Sequence, residues 1–368
     1  MILRANWTEK DLLKLTFLRS YSSANLVNII ESYKSFKEFT KSDSPPAQKL
    51  RQLEIFQNDR LDNEIKRQIE LCRKNNYRII SYWDEDYPTL LKEIPYPPLL
   101  LFVNGVIKSD CSKNISIVGT RRNTQYGKFV TEQFVEFFVK NDVIIISGLA
   151  YGIDSIAHKT AIKNNGLTYA VVASGLDEIN PQLSRKLSDE IVSNGGAIIT
   201  EYRCGTKSLQ GYFPQRNRII SGLSKATIVI ESAKKGGALI TANFAFDQNR
   251  ELYAVPGNIN SERSKGTNLL IKNQKAQPAI SPQMILEDLG ILSINNIGKK
   301  QNKKLVFKNT NQELVYNSID SQPIHIDEII QLVNIDISEL LVILLELEFD
   351  GFIKQLPGKY YIKGKIDE

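Results

Sequence analysis

Four segments carry residue types that suit phosphate chemistry. Gly119-Thr120-Arg121-Arg122, Ser147-Gly148-Leu149-Ala150-Tyr151-Gly152-Ile153-Asp154 and Glu231-Ser232-Ala233-Lys234-Lys235-Gly236-Gly237 combine glycine with cations or with the start of a helical pattern. Glycine lets backbone N–H groups approach an anion closely, and a helix N-terminus adds partial positive charge. Arginine adds planar, two-point recognition of phosphate oxygens. For one such loop, tight turning and helix–sheet packing explain the glycines better; three loops at one edge of one sheet point to anion binding. The fourth segment, Phe213-Pro214-Gln215-Arg216-Asn217-Arg218, sets an aromatic ring beside two arginines and an amide. The ring can stack a base while the guanidinium groups hold phosphates, which suits a nucleic-acid strand. The competing reading is a structural arginine paired with a carboxylate beneath the sheet, and it suits one of the two arginines.

These loops must be positioned by a sheet. Apolar strand-like runs fall at 115–118, 143–146, 169–173, 197–200, 227–230 and 252–255, with helical patterns between most of them, as at 125–140 and 153–164. Strands that are apolar on both faces and alternate with helices require a buried parallel sheet. Right-handed crossovers then give an α/β, doubly wound, Rossmann-like core, whose ligand crevice lies beyond the carboxyl ends of the strands. The glycine- and arginine-bearing loops sit at those ends. Neither GxGxxG nor GxxxxGK[ST] occurs, and Gly205-Thr206-Lys207-Ser208 fails the second on spacing, which argues against a dinucleotide enzyme or a P-loop ATPase.

Around this core, assigned to residues 76–290, the pattern changes. Residues 1–75 carry Leu12, Leu13, Leu15, Leu18, Leu26, Ile29 and Ile30 at helical spacing, broken at Ser42-Asp43-Ser44-Pro45-Pro46, and read as a small N-terminal helical domain. Residues 291–308 are polar and basic, as a linker should be. Residues 309–368 show helical patterns at 312–319, 326–333 and 338–349, then two β-like runs around Pro357-Gly358, the order of a C-terminal winged helix. Its third helix holds Asp336, Glu339, Glu346, Glu348 and Asp350 and no basic residue. A groove-reading helix carries lysine and arginine, so this unit is expected to pack against protein rather than duplex DNA.

Composition narrows the classes further. The chain of 368 residues has 42% hydrophobic and 24% charged residues, with a net charge of +6, ordinary for a globular protein and mildly favourable to a polyanionic partner. Three scattered cysteines, Cys72, Cys111 and Cys204, and two histidines offer neither a disulfide framework nor a zinc site. No signal-peptide pattern opens the chain, and the longest apolar run, near 340–345, is far short of the roughly 20 residues that span a bilayer. No membrane segment and a cytoplasmic location are therefore expected. Asp154 and His158 stand four apart on one helix face, open to acid–base or metal chemistry but more commonly structural. Glu201 and Glu231 end strands and could serve a hydrolase, without an evident second catalytic partner.

Together the segments closely resemble the DNA-processing protein A (DprA/Smf) family. The resemblance rests on IVGTRRNTQYG at 117–127, SGLAYGIDSIAH at 147–158, GLDEINP at 175–181, FPQRNRIISGLS at 213–224, ESAKKGGALITA at 231–242, AVPGNI at 254–259 and KGTNLLI at 265–271. It implies a Rossmann-like DNA-binding core, often preceded by a SAM-like or helix-hairpin-helix domain and followed by a winged helix. It further implies a homodimer that binds and shields single-stranded DNA in natural transformation and loads a RecA-type recombinase, with no cofactor and no catalytic turnover. Carried over by motif position, Gly119, Arg121, Arg122 and Gly148 line the first two loops of a DNA site. Phe213 would touch a base with Arg216, Asn217 and Arg218 around it, and Lys235, Gly236 and Gly237 would bind backbone phosphate. Arg121 and Arg218 are the positions expected to weaken binding most when truncated.

The chain departs from the family pattern in four places. Gly236-Gly237 stands where Ser-Gly is common, Ser184 where Asn or His is common, and no glycine precedes Ala276. The helical start lacks a Gly-x-Gly hairpin. The main rival is a nucleotide phosphoribohydrolase on a related fold, whose PGGxGTxxE motif is not supplied here; a duplex-binding regulator is opposed by the acidic third helix.

Overall fold

In the computed structural model, residues 6–18, 23–53, 60–179, 182–292, 307, 309–319, 323–333, 335–350 and 352–363 are described. The chain divides into two compact units, Met1–Ile294 and Asn295–Glu368. Residues 293–306 and 308, most of the expected linker, lie outside the described residues.

The first unit opens with helices α1 (Glu9–Leu15), α2 (Ser23–Ser32), α3 (Phe36–Lys41), α4 (Pro45–Gln52) and α5 (Arg60–Lys74). Local chemistry sets their starts. Thr8 and Asp11 form a reciprocal capping box on α1, Ser35 caps α3, and Pro45 opens α4, where its missing N–H costs nothing. The helices bury Leu12, Leu13, Phe39, Leu50 and Ile65 in one core with Leu100, Phe102 and Ile198 of the sheet. The N-terminal helices are thus layered on the sheet and share its core.

The sheet strands are β1 (Arg78–Ser81), β2 (Leu100–Gly105), β3 (Asn114–Val118), β4 (Ile144–Ser147), β5 (Thr168–Val171), β6 (Ala197–Thr200), β7 (Ala226–Val229), β8 (Glu251–Ala254) and β9 (Gln277–Pro278). Their order is β1-β2-β6-β5-β4-β3-β7-β8-β9. The stretch from β6 to β9 is parallel throughout, and β3 to β7 are buried along their whole length. Between these strands run α7 (Gln125–Lys140), α8 (Ile153–Lys163), α9 (Gln182–Ser193), α10 (Tyr212–Gly222), α11 (Ala238–Asp247) and α12 (Lys265–Lys272), with α13 (Pro282–Asp288) after β9. One side of the sheet buries Ile146, Val171, Ile199 and Ile220, the other Ile117, Phe134, Phe138 and Ile145.

The parallel core is as expected, and two further strands extend it at one edge. β1 and β2 pair antiparallel, and β2 joins β6 antiparallel, with Phe102 opposite Thr200. The connection between β1 and β2 holds only the four-residue helix α6 (Thr89–Lys92), not a full crossover helix, so the chain doubles back.

The second unit is a winged helix. α14 (Thr310–Ser318), α15 (Ile326–Val333) and α16 (Ile337–Phe349) pack over a small sheet of β10 (Ile324–His325), β11 (Ile353–Leu356) and β12 (Tyr360–Lys363), in the order β10-β12-β11. Val315, Ile329, Leu340, Leu344, Leu347, Ile353 and Tyr361 form its core. The wing turns at Gly358 and Lys359, both at positive φ. The two-residue β10 carries no sequence signal.

Candidate nucleic-acid interface

β3 is the first of the parallel strands, with β4 on one side and β7 on the other, so the chain winds in opposite directions from it. At such a switch point the loops leaving neighbouring strands diverge and open a crevice. The loop after β3 carries Arg121 and Arg122, the loop after β4 carries Gly148 to Gly152, and the loop after β7 carries Lys234 to Gly237. Arg121, Arg122, Lys234 and Lys235 are exposed there. α8 and α11 start at Gly152 and Gly237, and neither start receives a side-chain cap, so both turn helix N-termini towards this edge.

The carboxylates of the region are committed to holding loops. Glu231, 1% exposed, accepts from Thr124 N–H at 2.9 Å through one oxygen and from the Thr124 hydroxyl through the other. Its own carbonyl accepts from Thr120 N–H at 2.9 Å. Thr124 in turn caps α7. Glu231 thus clamps both ends of the Arg121 loop, a role that its place at a strand end does not reveal.

Beneath the next loop lies a buried pair. Arg216, 4% exposed, donates to the carbonyl of Gly148 at 2.6 Å and to the carbonyl of Val171. Asp154 faces it, its carboxylate supported by the backbone N–H groups of Ala150 and Gly148. Burial pushes the Asp154 carboxyl up to about 6 against the pull of Arg216, and burial pulls Arg216 down to about 10. Two residues expected at the DNA contact are engaged with protein groups here. Arg216 is spent on loop carbonyls, and Gly148 gives its N–H to Asp154. A side chain at Gly148 would meet the Asp154 carboxylate and the Arg216 guanidinium at 2.8 to 2.9 Å, so this glycine is needed for close packing. Gly152 has φ +82°, and a Cβ there would lie 2.3 Å from the Thr120 carbonyl, which fixes glycine where the two loops touch.

His158 is a core histidine. The Thr168 hydroxyl donates to the Ile145 carbonyl at 2.8 Å, so His158 Nδ1 carries the proton and donates to Thr168 Oγ1 at 2.6 Å. Burial holds its pKa down at about 3, and the ring stays neutral. Among the described residues no cluster of three or more metal-ligating side chains occurs.

Above this foundation the exposed groups converge. Phe213, near the start of α10, is half-buried, and the Arg121 guanidinium lies 5.6 Å from its ring centre. Arg121, Gly148, Tyr151, Ser174, Phe213 and Arg216 border a cavity of about 140 Å³. That is below the roughly 300–1,000 Å³ of a closed small-molecule site, so the site is a recess in a surface. Tyr151 is exposed at its rim, an aromatic between two glycines that sequence reasoning passes over. Asn217 is half-buried on α10. Arg218 departs from expectation. Its guanidinium donates to Glu201 at 2.5 Å, with the two side chains only 13% and 19% exposed, so it cross-links α10 to the end of β6. Both arginines of this segment are therefore engaged with protein. Gly119 and Gly236 pack closely, against Ile153 and the Ser232 hydroxyl, whereas Gly237 faces open space.

Comparison with known proteins agrees with this architecture. Residues 78–290 match the family model for DNA recombination-mediator protein A, and residues 308–359 match that of the DprA winged helix domain. Protein Smf of Escherichia coli is 35% identical over 294 residues, 77% of each chain, and DNA processing protein DprA of Bacillus subtilis is 37% identical over 227 residues, 61% of this chain and 76% of that one. The crystal structure of DNA processing protein A from Streptococcus pneumoniae superposes with a TM-score of 0.65 at 30% identity, over 77% of this chain and 98% of that one. A Helicobacter pylori DNA processing protein A structure, described for its single-stranded DNA binding mode, gives 0.53 at 31% identity, over 58% of this chain and 95% of that one. No helix among the described residues is long and apolar enough to cross a membrane. With a match over more than half of its length, the chain belongs to the DNA recombination-mediator protein A family.

Proposed function

We propose that the chain grips single-stranded DNA along the carboxyl edge of its sheet, shields it, and loads a RecA-type recombinase onto it in natural transformation. It acts in the cytoplasm as a homodimer and without catalytic turnover. The observation that carries the DNA reading is the exposed Arg121 guanidinium held over the Phe213 ring, on loops that Glu231, Asp154 and Arg216 lock from below. A cation beside an accessible ring offers phosphate and base contact to an unpaired strand, whose bases have free faces. Arg121, Arg122, Lys235 and the open Gly237 supply the phosphate contacts, with Asn217 and Tyr151 at the margin. The helical domain of residues 1–75 supports the sheet, residues 76–290 hold the DNA, and the winged helix from residue 309 onward has a separate task. The H. pylori relative described for single-stranded DNA binding supports this reading.

The phosphoribohydrolase alternative gains nothing from the geometry. Each carboxylate it could use is committed, Glu231 to Thr124, Glu201 to Arg218 and Asp154 to loop amides. The test is a salt series with single-stranded oligonucleotide. Arg121→Ala and Lys235→Ala are expected to weaken binding and to flatten the dependence of log affinity on log salt by roughly 0.7 for each phosphate no longer held. Unchanged affinity and slope in both variants would contradict the proposal.

A further inference from the structure

α16 occupies the place that in a DNA-reading winged helix enters the major groove. Its inner face, Leu340, Ile343, Leu344 and Leu347, is core. Its outer face is also apolar. Ile337, Leu341, Val342, Leu345 and Phe349 are between 46% and 84% exposed. At 3.6 residues per turn, positions 337, 341, 345 and 349 climb one stripe, with Val342 on its flank. Contiguous exposed apolar surface of this kind marks an interaction site more often than scattered single residues do.

The charge around the stripe restricts what can cover it. Asp336, Glu339 and Glu348 hydrogen-bond to uncharged amides, namely Ser338 N–H, the Asn311 side chain and Gln355 N–H. Residues 309–363 hold nine carboxylates against three lysines, a net charge of −6 in a chain whose total is +6. A DNA duplex would bring phosphates against this rim. A second copy of α16 would bring a second set of carboxylates, and like charges across an interface oppose association. A partner must therefore be apolar along its centre and basic at its edges.

We propose that the outer face of α16 docks an amphipathic helix of a partner protein, apolar on one face and flanked by lysine or arginine. Its apolar residues sit on Leu341, Leu345 and Phe349, and its cations meet Glu339 and Glu348. This is the helix-in-groove mode of recognition, read through anchors three and four residues apart. It gives the winged helix a recruiting task in place of groove reading, and it stands independently of the DNA site on the sheet.

The test uses the full-length protein and two fluorescent synthetic helical peptides with the same leucine stripe, one rimmed by lysine and one by glutamate. The lysine-rimmed peptide is expected to bind saturably, more weakly as salt rises, and the glutamate-rimmed one not to bind. Leu345→Ser or Val342→Ser, both at exposed positions, should weaken binding by roughly tenfold or more. Glu339→Gln with Glu348→Gln should flatten the salt dependence. Equal binding of the two peptides, or full affinity in both apolar variants, overturns the proposal. So does a halved mass of the unliganded protein in Leu345→Ser, which would assign the face to a second copy of the chain.

Discussion

Replacing Arg216 with methionine keeps an apolar stem in the buried position and removes the charge and donors. The loss is predicted to fall on stability. The guanidinium donates to the carbonyls of Gly148 and Val171 and faces the buried Asp154 carboxylate. Two buried acceptors left without a donor cost about 1–3 kcal/mol each. The carboxylate can escape its isolation by protonating, and for a group with a pKa of about 6 this costs only about 1.4 kcal/mol at pH 7. The sum, about 3–7 kcal/mol, starts at the roughly 3–5 kcal/mol usual for breaking a buried charge pair and extends beyond it. Burial raises the folded Asp154 carboxyl above its ordinary value of 3.8, so its contribution to stability is complete below that value and is lost as pH rises through about 6. Without Arg216 that pKa rises further, and the deficit of Arg216→Met should grow between pH 6 and pH 8. Adding Asp154→Asn should remove this pH dependence. Urea unfolding at several pH values reads both effects. Arg121→Ala, measured alongside, should unfold within about 0.5 kcal/mol of the parent. If Arg216→Met unfolds like the parent but its DNA salt slope falls by roughly 0.7, Arg216 touches phosphate and the reasoning fails.

Other substitutions separate the remaining roles. Phe213→Ala should cost about 1–3 kcal/mol of single-strand affinity with an unaltered salt slope, since a stacked ring releases no counterions; fluorescence anisotropy over a salt series decides. Arg218→Ala should leave that slope unchanged and lower the midpoint of urea unfolding, because its charge is spent on Glu201. His158 has a folded pKa depressed to about 3 from 6.5, so the stability it contributes is present above pH 6.5 and lost on acidification. Against His158→Asn, the parent should lose about 2 kcal/mol of its advantage between pH 6.5 and 4.5 in parallel urea titrations, and a constant difference would mean that the ring is not held neutral.

The parallel core was legible because its strands are buried on both faces and alternate with helices. α7 falls at residues 125–140 as its apolar spacing indicates. The antiparallel β1 and β2 were not legible, since a short edge strand and a broken connection leave no period to read. The loops of the site could be located from glycine and arginine at strand ends. What the side chains do there could not. Arg121, Arg216 and Arg218 are one residue type in two neighbouring motifs, yet one is exposed, one is buried under a loop and one is tied to Glu201. Those fates depend on Asp154, Val171 and Glu201, which come together only when the sheet closes. In the sequence Glu231 looks available as an acid because its partner, Thr124, lies more than a hundred residues away.

The most direct test of single-strand gripping compares single- and double-stranded oligonucleotides of equal length with the full-length protein across a salt series. Tighter binding of the single strand is predicted at every salt concentration, with log affinity falling linearly in log salt by roughly 0.7 per phosphate held. Equal or stronger binding of the duplex, or an affinity that ignores salt, would contradict it.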